Sequence, residues 1–217
     1  MIVFWFAVCA VIGYLLGGFN GAILVSRWFR GEDIRSKGSG NAGLTNFYRN
    51  YGGLDTFLVL LIDVGKTVLA CFIGGWIMKW TGHASDLSPA ENWVREGQMF
   101  CGGLSVIGHV FPIWFGFKGG KGILTCGTLA AFMGWQLILI LLAVFILVVA
   151  LTRYVSLGSI ICCVIYPFLF WIFCYQTPML VILAFCLGGL ALWMHHTNIQ
   201  RLLKGTENKF SFHKKKE

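Results

Sequence analysis

The chain has 217 residues, of which 57% are hydrophobic and only 12% are charged, and its mean hydropathy is +0.75. Soluble globular domains carry about 25% charged residues, so the composition excludes that class and indicates an integral membrane protein. A net charge of +8 also occurs in nucleic-acid-binding proteins. In so apolar a chain it favours basic loops that flank membrane spans and attract anionic lipids or substrates. We expect one membrane-embedded domain over residues 1–217 and no nucleic-acid partner.

The eight cysteines lie in apolar runs, and none belongs to a Cys-x-x-Cys pair. We interpret them as small hydrophobic residues rather than disulfide or metal partners, and we expect neither a metal nor a cofactor. The first apolar run starts at Ile2 without a basic segment before it and has no obvious small-residue cleavage site. It is therefore predicted to be a retained span rather than a removed signal peptide.

A transmembrane helix needs about 20 mostly apolar residues. Five runs meet this requirement: 2–24, 53–79, 98–116, 157–175 and 178–195. A further run, 123–151, is long for one helix and short for two. Gly134-Trp135-Gln136 in its middle is typical of a turn at the membrane interface, where Trp is enriched. We divide it into 123–133 and 136–151, which predicts seven transmembrane helices; a single tilted helix is the alternative.

Positive charge predicts the orientation of these spans. With the N-terminus outside, the inner segments carry 14 of the 17 basic residues: Arg27, Arg30, Arg35, Lys37, Arg49, Lys118, Lys121, Arg153, Arg201, Lys204, Lys209, Lys214, Lys215 and Lys216. Lys79 and Arg95 remain outside, and Lys66 lies within a span. The positive-inside rule thus predicts an all-α membrane protein with the N-terminus outside and the C-terminus in the cytoplasm. Dividing 123–151 also places Arg153 and Ser156 on the inner side.

The segment 36–49 is glycine-rich and polar and lies between two long apolar runs. Gly38, Gly40 and Gly43 allow close approach of a ligand to the backbone, and successive N–H groups in such a turn form a concavity that binds anions. The segment also supplies neutral donors and positive charge from Lys37, Ser39, Asn41, Thr45, Asn46 and Arg49. A flexible linker rarely combines these residue types between glycines, so the pattern predicts a phosphate-binding loop.

A second glycine-rich segment, Lys118-Gly-Gly-Lys-Gly122, ends the stretch that begins at Gly108. The paired lysines favour a phosphate cradle over a mere marker of the inner membrane boundary. No Gly-x4-Gly-Lys-Ser/Thr motif occurs, so nucleotide hydrolysis has no support.

Three further polar groups lie in or beside the spans. Asp63 and Lys66 are three residues apart inside the second span, where a structural ion pair and substrate contact are both open. Ser156 belongs to a short polar break after Arg153 that would also suit a basic interfacial anchor. His195 and Asn198 would share one face of a continuing helix.

Taken together, these motifs resemble the bacterial acyl-phosphate:glycerol-3-phosphate acyltransferases, the PlsY family. The resemblance covers most of the chain: Ser36-x-Gly-Ser-Gly-Asn-x-Gly-x-Thr-Asn-x-x-Arg49, Asp63-x-x-Lys66, Gly108-His-x-Phe-Pro, Phe117-Lys-Gly-Gly-Lys-Gly122 and His195-x-x-Asn-Ile-x-Arg-Leu202. It implies a seven-span enzyme of the bacterial plasma membrane, with its active site facing the cytoplasm. Its reaction would transfer a fatty acyl group from acyl-phosphate to glycerol 3-phosphate, giving lysophosphatidic acid and inorganic phosphate. His196 stands where the family usually has Arg, so no role is assigned to it.

The resemblance also implies roles for individual residues. The acyl-phosphate group would be held by Ser39, Gly40, Asn41, Gly43 and Thr45, with Asn46 in the same loop. Glycerol 3-phosphate would be bound by Arg49, Lys118, Ser156, His195 and Asn198, with Lys121 adding charge. Of these, Ser39, Asn41, Lys118 and His195 are expected to act in catalysis. We expect a monomer that binds acyl-phosphate and glycerol 3-phosphate and contacts membrane lipid.

The proton acceptor and the donor leave alternatives. His195 has the side-chain type of a general base near neutral pH, yet a substrate phosphate oxygen can also accept the hydroxyl proton, and we favour the latter. Acyl-CoA or acyl carrier protein is the alternative donor. A transporter for an anionic metabolite is disfavoured, because the polar motifs gather on one face and no internal repeat is visible.

Overall fold

The computed structural model describes residues 2–81, 90–174 and 177–210. Over these residues the chain is α-helical, with two short 3-10 turns at Ile34–Ser36 and Ile113–Phe115 and without a β-strand. The helices in chain order are α1 (Ile2–Gly17), α2 (Gly21–Arg30), α3 (Leu44–Tyr51), α4 (Gly53–Thr81), α5 (Ala90–Val110), α6 (Ile123–Met133), α7 (Trp135–Thr152), α8 (Val155–Cys174), α9 (Pro178–Trp193) and α10 (His196–Leu203).

Several of these helices, alone or as a consecutive pair, are long and apolar enough to cross a membrane. Five stretches in the described residues meet that criterion: Ile2–Arg30, Gly53–Thr81, Asn92–Phe115, Trp135–Thr152 and Val155–Cys174. A sixth is formed if α9 and α10, which are bent by 52° relative to each other, are taken as one span. Helix α6 is apolar but only 11 residues long. The described part of the chain is therefore all-helical, with five or six stretches of spanning length and the shorter apolar helix α6, as expected of an integral membrane protein.

The division of the run 123–151 is confirmed. Helix α6 ends at Met133 and α7 begins at Trp135, with the extended backbone of Gly134 between them. The Trp135 side chain is 66% exposed, as suits a ring at a membrane interface. The alternative of one tilted helix over this run is wrong.

The first predicted span, 2–24, is broken in two. The chain leaves α1 after Gly17, and Asn20 starts α2 by accepting a hydrogen bond from the Ile23 N–H at 3.1 Å. An Asn side chain at this position satisfies an otherwise unpaired N–H, so it favours a new helix over continuation of the old one. The last span also differs: α9 ends at Trp193, and the bend separates His195 from the helix that carries Asn198.

Glycines bring α1, α4 and α5 into close contact. A Cβ on Gly13 would overlap the Cys101 carbonyl, and one on Gly17 would overlap the Ser105 carbonyl. A Cβ on Gly97 of α5 would likewise overlap the Gly74 carbonyl of α4. Small residues at helix crossings let backbones approach in lipid, where dispersion contacts replace the hydrophobic effect. This rigid three-helix unit holds one side of the site, and a second apolar core packs α5 to α9 on the other side.

Candidate active site

A cavity of about 820 Å³ opens between the two helix groups. One end is polar and is lined by side chains from the glycine-rich loop, α3, the second glycine segment, α8 and the C-terminal segment: Ser39, Asn41, Thr45, Asn46, Arg49, Lys121, Ser156, His195, Asn198, Arg201 and Glu207. The other end is apolar, and its lining includes Leu124, Phe132, Ile138, Leu141, Leu142, Phe145, Cys162 and Tyr166. The cavity therefore combines an anion-binding end with a hydrophobic chamber.

The cavity is long. Ser156 at its polar end and Tyr166 at its apolar end both belong to α8, and at 1.5 Å of rise per residue they are separated by roughly 15 Å along the helix. On α6 the lining runs from Ile123 to Phe132 over a similar length. A chamber of this length and polarity suits a hydrocarbon chain whose polar head remains at the other end.

Asn46 organises the glycine-rich loop from within. Its Oδ1 accepts a hydrogen bond from the Ser39 N–H at 3.0 Å, and its Nδ2 donates to the carbonyls of Lys37 at 3.1 Å and Asn41 at 3.0 Å. The Asn46 side chain is buried, so its amide serves the loop backbone although the residue lines the cavity. We therefore interpret Asn46 as a residue that stabilises the loop backbone rather than as a direct substrate ligand.

Two glycines in this loop hold conformations that other residues rarely adopt. Gly38 and Gly40 have φ of 54° and 71°, in the left-handed region. A Cβ on Gly38 would also stand 2.5 Å from Asn46 Oδ1. The loop's shape thus depends on glycine at both positions, whereas Gly40 itself does not line the cavity.

The second glycine segment folds back on the end of α5. The Gly119 N–H donates to the Val110 carbonyl at 3.0 Å, and the Gly120 N–H donates to the His109 carbonyl at 3.1 Å. From the glycine-rich side, Arg35 donates to the carbonyls of Phe115 and Lys118 at 2.7 and 3.0 Å. The two loops are therefore joined at the protein surface.

The two predicted lysines have different positions. Lys121 lines the cavity and donates a hydrogen bond to Asn198 Oδ1. Lys118 is exposed and does not line the cavity. The structure thus brings Lys121 to the cavity. It does not bring Lys118 there, so the geometry gives no support to the catalytic role predicted for Lys118.

The C-terminal segment closes the polar end. Glu207 accepts hydrogen bonds from Asn198 Nδ2 at 2.8 Å and Arg201 Nε at 2.7 Å. His195 is buried, and its Nδ1 lies 2.7 Å from the Ala191 carbonyl. Because a carbonyl can only accept, Nδ1 carries the proton, and Nε2 of the neutral ring is left as an acceptor.

The charges at this end form a cationic cluster with one bound carboxylate. Burial, together with repulsion from Arg201 and Arg49, lowers the pKa of Lys121 to about 8. Burial opposes ionisation of Glu207, but hydrogen bonds from Arg201 and Asn198 outweigh it and lower the pKa of that carboxyl. At neutral pH the cluster holds three positive charges and one negative charge. A phosphate dianion would balance it.

Ten of the twelve residues predicted for the site line this one cavity: Ser39, Asn41, Gly43, Thr45, Asn46, Arg49, Lys121, Ser156, His195 and Asn198. Sequence reasoning missed Arg201 and Glu207 as site residues. The Arg201 position was visible in the last motif, but only the bend after α9 turns α10 and residue 207 toward the cavity. Among the described residues, no group of three or more His, Cys, Asp or Glu side chains is arranged to hold a metal.

Known proteins are similar to this chain over most of its length. The family model described as glycerol-3-phosphate acyltransferase matches residues 7–205. A glycerol-3-phosphate acyltransferase of Thermosynechococcus vestitus is 37% identical over 91% of this chain and 92% of its own length. The corresponding protein of Rhodospirillum rubrum is 39% identical over 96% of this chain and 92% of its own length.

Two solved structures share the fold. They are crystal structures of PlsY (YgiH), an integral membrane glycerol 3-phosphate acyltransferase, in its glycerol 3-phosphate and lysophosphatidic acid forms. The first is 30% identical, with a TM-score of 0.81 over 95% of this chain and 96% of that one. The second is 28% identical, with a TM-score of 0.77 over 95% of each. The present chain thus belongs to the glycerol-3-phosphate acyltransferase family of integral membrane enzymes.

Proposed function

We propose that the protein transfers a fatty acyl group from acyl-phosphate to glycerol 3-phosphate, yielding lysophosphatidic acid and inorganic phosphate. The observation that carries this proposal is that a cationic polar end and an apolar chamber belong to the same cavity, which extends about 15 Å from Ser156 to Tyr166. Both the acyl donor and the product need a hydrocarbon site joined to a phosphate site. The solved relative, in forms with glycerol 3-phosphate and with lysophosphatidic acid, supports the same two chemistries.

The two polar walls suit two different groups. The glycine-rich loop presents the side chains of Ser39, Asn41 and Thr45, whose neutral donors suit the phosphate of the acyl donor. The opposite wall presents Arg49 and Lys121, which suit the phosphate of glycerol 3-phosphate. Ser156, His195 and Asn198 complete this second wall.

The chemistry needs stabilisation of charge more than a strong base. A glycerol hydroxyl oxygen attacks the acyl carbonyl carbon, the bond from that carbon to the phosphate oxygen breaks, and phosphate leaves. Preorganised donors at the glycine-rich loop would stabilise the negative charge that develops on the carbonyl and phosphate oxygens. We propose that a phosphate oxygen of the donor accepts the hydroxyl proton, so that His195 binds and orients glycerol 3-phosphate.

The donor is tested with purified protein and glycerol 3-phosphate, supplied with acyl-phosphate, acyl-CoA or acyl carrier protein thioester in parallel. The proposal predicts turnover on acyl-phosphate, with one inorganic phosphate released for each lysophosphatidic acid formed. Turnover on acyl-CoA without turnover on acyl-phosphate would overturn it. Bilayer passage of glycerol 3-phosphate without acyl transfer would instead favour a transporter.

We further propose seven spans in a bacterial plasma membrane, with the N-terminus outside, the polar end facing the cytoplasm and a monomer as the working unit. The break at Gly134 and the basic segments on one side support this topology. In a background without reactive thiols, cysteines placed at Gln136 and Arg153 should be labelled from opposite sides of the membrane. Labelling of both from one side would contradict the topology.

A further inference from the structure

A cluster of buried ionisable residues lies beneath the two loops, and two of its members, Asp63 and His109, also line the wall of the cavity. Lys66 Nζ is 2.7 Å from Asp63 Oδ1 and 2.9 Å from His109 Nδ1. All three side chains are at most 7% exposed. Removing charges from water inside a membrane protein is costly even for a pair, so a cluster of this kind needs a reason beyond stability.

The cluster fixes the break between α1 and α2, and through it the glycine-rich loop. Lys66 Nζ donates to the Phe19 carbonyl at 3.0 Å, and Asp63 Oδ1 accepts from the Gly21 N–H at 3.0 Å. Asn20, between these two residues, donates from Nδ2 to the Ala42 carbonyl at 3.1 Å. Ala42 directly precedes Gly43. Hydrogen bonds therefore connect the charged pair first to the backbone beside Asn20 and then, through the Asn20 side chain, to the end of the glycine-rich loop.

The same cluster contacts the second glycine segment. The His109 carbonyl accepts the Gly120 N–H, and the His109 ring lies against Gly120 so closely that a Cβ there would overlap Nε2. That Cβ would also stand 2.8 Å from the Ala42 carbonyl. The two loops therefore meet at Gly120, between the His109 ring and the Ala42 carbonyl.

We propose that Asp63, Lys66 and His109 are positioning residues that hold both loops in register across the polar end of the cavity. They form the buried counterpart of the surface link made by Arg35. Because of them, Ser39 and Asn41 on one loop face the same space as Lys121 on the other. This inference rests on the proposed function for its catalytic consequence, but the coupling between the loops is independent of it.

The test compares hydrogen exchange of the full-length protein in detergent or bilayer with the rate of acyl transfer per folded protein. Lys66→Met removes the central donor, and Gly120→Ala disturbs the same junction from the loop side. Gly65→Ala is the control, since it lies on the same span with open space around its Cβ position. In both test variants we expect exchange in segments 36–43 and 116–122 to rise together about tenfold or more, since the buried hydrogen bonds that hold both segments are lost. Exchange in α7 and α8 should stay unchanged.

The kinetic readout separates positioning from general stability. Misplacement of donors by about an ångström lowers rates about 100-fold, so kcat should fall by that order in Lys66→Met while KM rises for both substrates together. The control should keep wild-type values. Unchanged exchange in both loops, or a change confined to one loop, would overturn the inference. A wild-type protein inactive on acyl-phosphate, with variants whose two loops still loosen together, would reject the proposed function and leave the positioning role intact.

Discussion

The two walls of the polar end use different physics. The glycine-rich wall contributes neutral side chains, and its shape depends on Asn46 and on glycines with positive φ. The opposite wall contributes Arg49, Lys121 and Arg201 around the carboxylate of Glu207. We expect the first wall to bind its substrate by geometry and to be insensitive to pH. We expect the second wall to bind by charge, so that it tolerates small movements but responds to pH.

The largest effect is expected when the geometry of the glycine-rich wall is broken. Gly40→Ala places a Cβ at φ 71°, which costs about 1–2 kcal/mol and shifts the loop donors. Loss of preorganised donors should lower kcat by about a hundredfold to a thousandfold. The matched control is Gly53→Ala, which has φ 63° and open space but lies at the start of α4, outside the glycine-rich loop. Equal losses in steady-state kcat for both variants would contradict the role of the loop.

A smaller effect is expected on the cationic wall. Arg49→Ala removes a charge-assisted contact of about 1.5–3 kcal/mol, so the KM for glycerol 3-phosphate should rise roughly tenfold to a hundredfold. The KM for acyl-phosphate should change little. Arg153→Ala, an exposed arginine outside the cavity lining, serves as the control in the same initial-rate assay. A rise in KM confined to acyl-phosphate would contradict the assignment and would indicate that the cationic wall binds acyl-phosphate instead.

The apolar chamber should be adjustable without effect on either wall. Gly127 lines the cavity, and the nearest atom to a Cβ there is Ile138 Cδ1 at 3.9 Å. Gly127→Leu should therefore fill part of the chamber and lower the rate on the longest acyl chains about tenfold relative to short ones. Gly189→Leu, at an exposed position on α9, should leave the chain-length profile unchanged. Identical chain-length profiles for both variants would show that the acyl chain lies elsewhere.

The smallest effect concerns pH. Lys121 is charged below its pKa of about 8 and loses its proton above it, whereas a phosphate monoester becomes a dianion above about pH 6. Affinity for glycerol 3-phosphate should therefore be highest between these values and weaken about fivefold as pH rises past 8, since Arg49 and Arg201 stay charged. Lys121→Arg should remove the upper limb from a plot of KM against pH. Persistence of that limb would assign it to another group.

The sequence anticipates the fold where hydropathy and charge carry the signal. The turn at Gly134 was predicted from Gly134-Trp135-Gln136 in the middle of a run that is long for one helix and short for two. The membrane class was predicted from composition. The break at Asn20 was not predicted, because an N-cap inside an apolar run is a weak local signal until Asp63 and Lys66 are seen to bind the freed backbone groups. Type and spacing predicted most of the loop residues that line the cavity, but the position of Glu207 in the lining depends on the bend after α9.

The same limit explains Lys118 and Lys121. Two lysines three residues apart, with only glycines between them, are equivalent by sequence. The backbone bonds of Gly119 and Gly120 to the end of α5 decide that Lys121 lines the cavity and Lys118 is exposed. Spacing predicted a cradle in this segment, and tertiary contacts determine which lysine reaches the site.

The most direct test of the two-wall account is the KM for each substrate in Asn41→Ala and Arg49→Ala, measured by initial rates over a grid of acyl-phosphate and glycerol 3-phosphate concentrations. The account predicts opposite outcomes. Asn41→Ala should raise the KM for acyl-phosphate with little change in the KM for glycerol 3-phosphate. Arg49→Ala should raise the KM for glycerol 3-phosphate with little change in the KM for acyl-phosphate. If both variants raised both KM values in the same proportion, the walls would not serve separate substrates, and the central claim would be wrong.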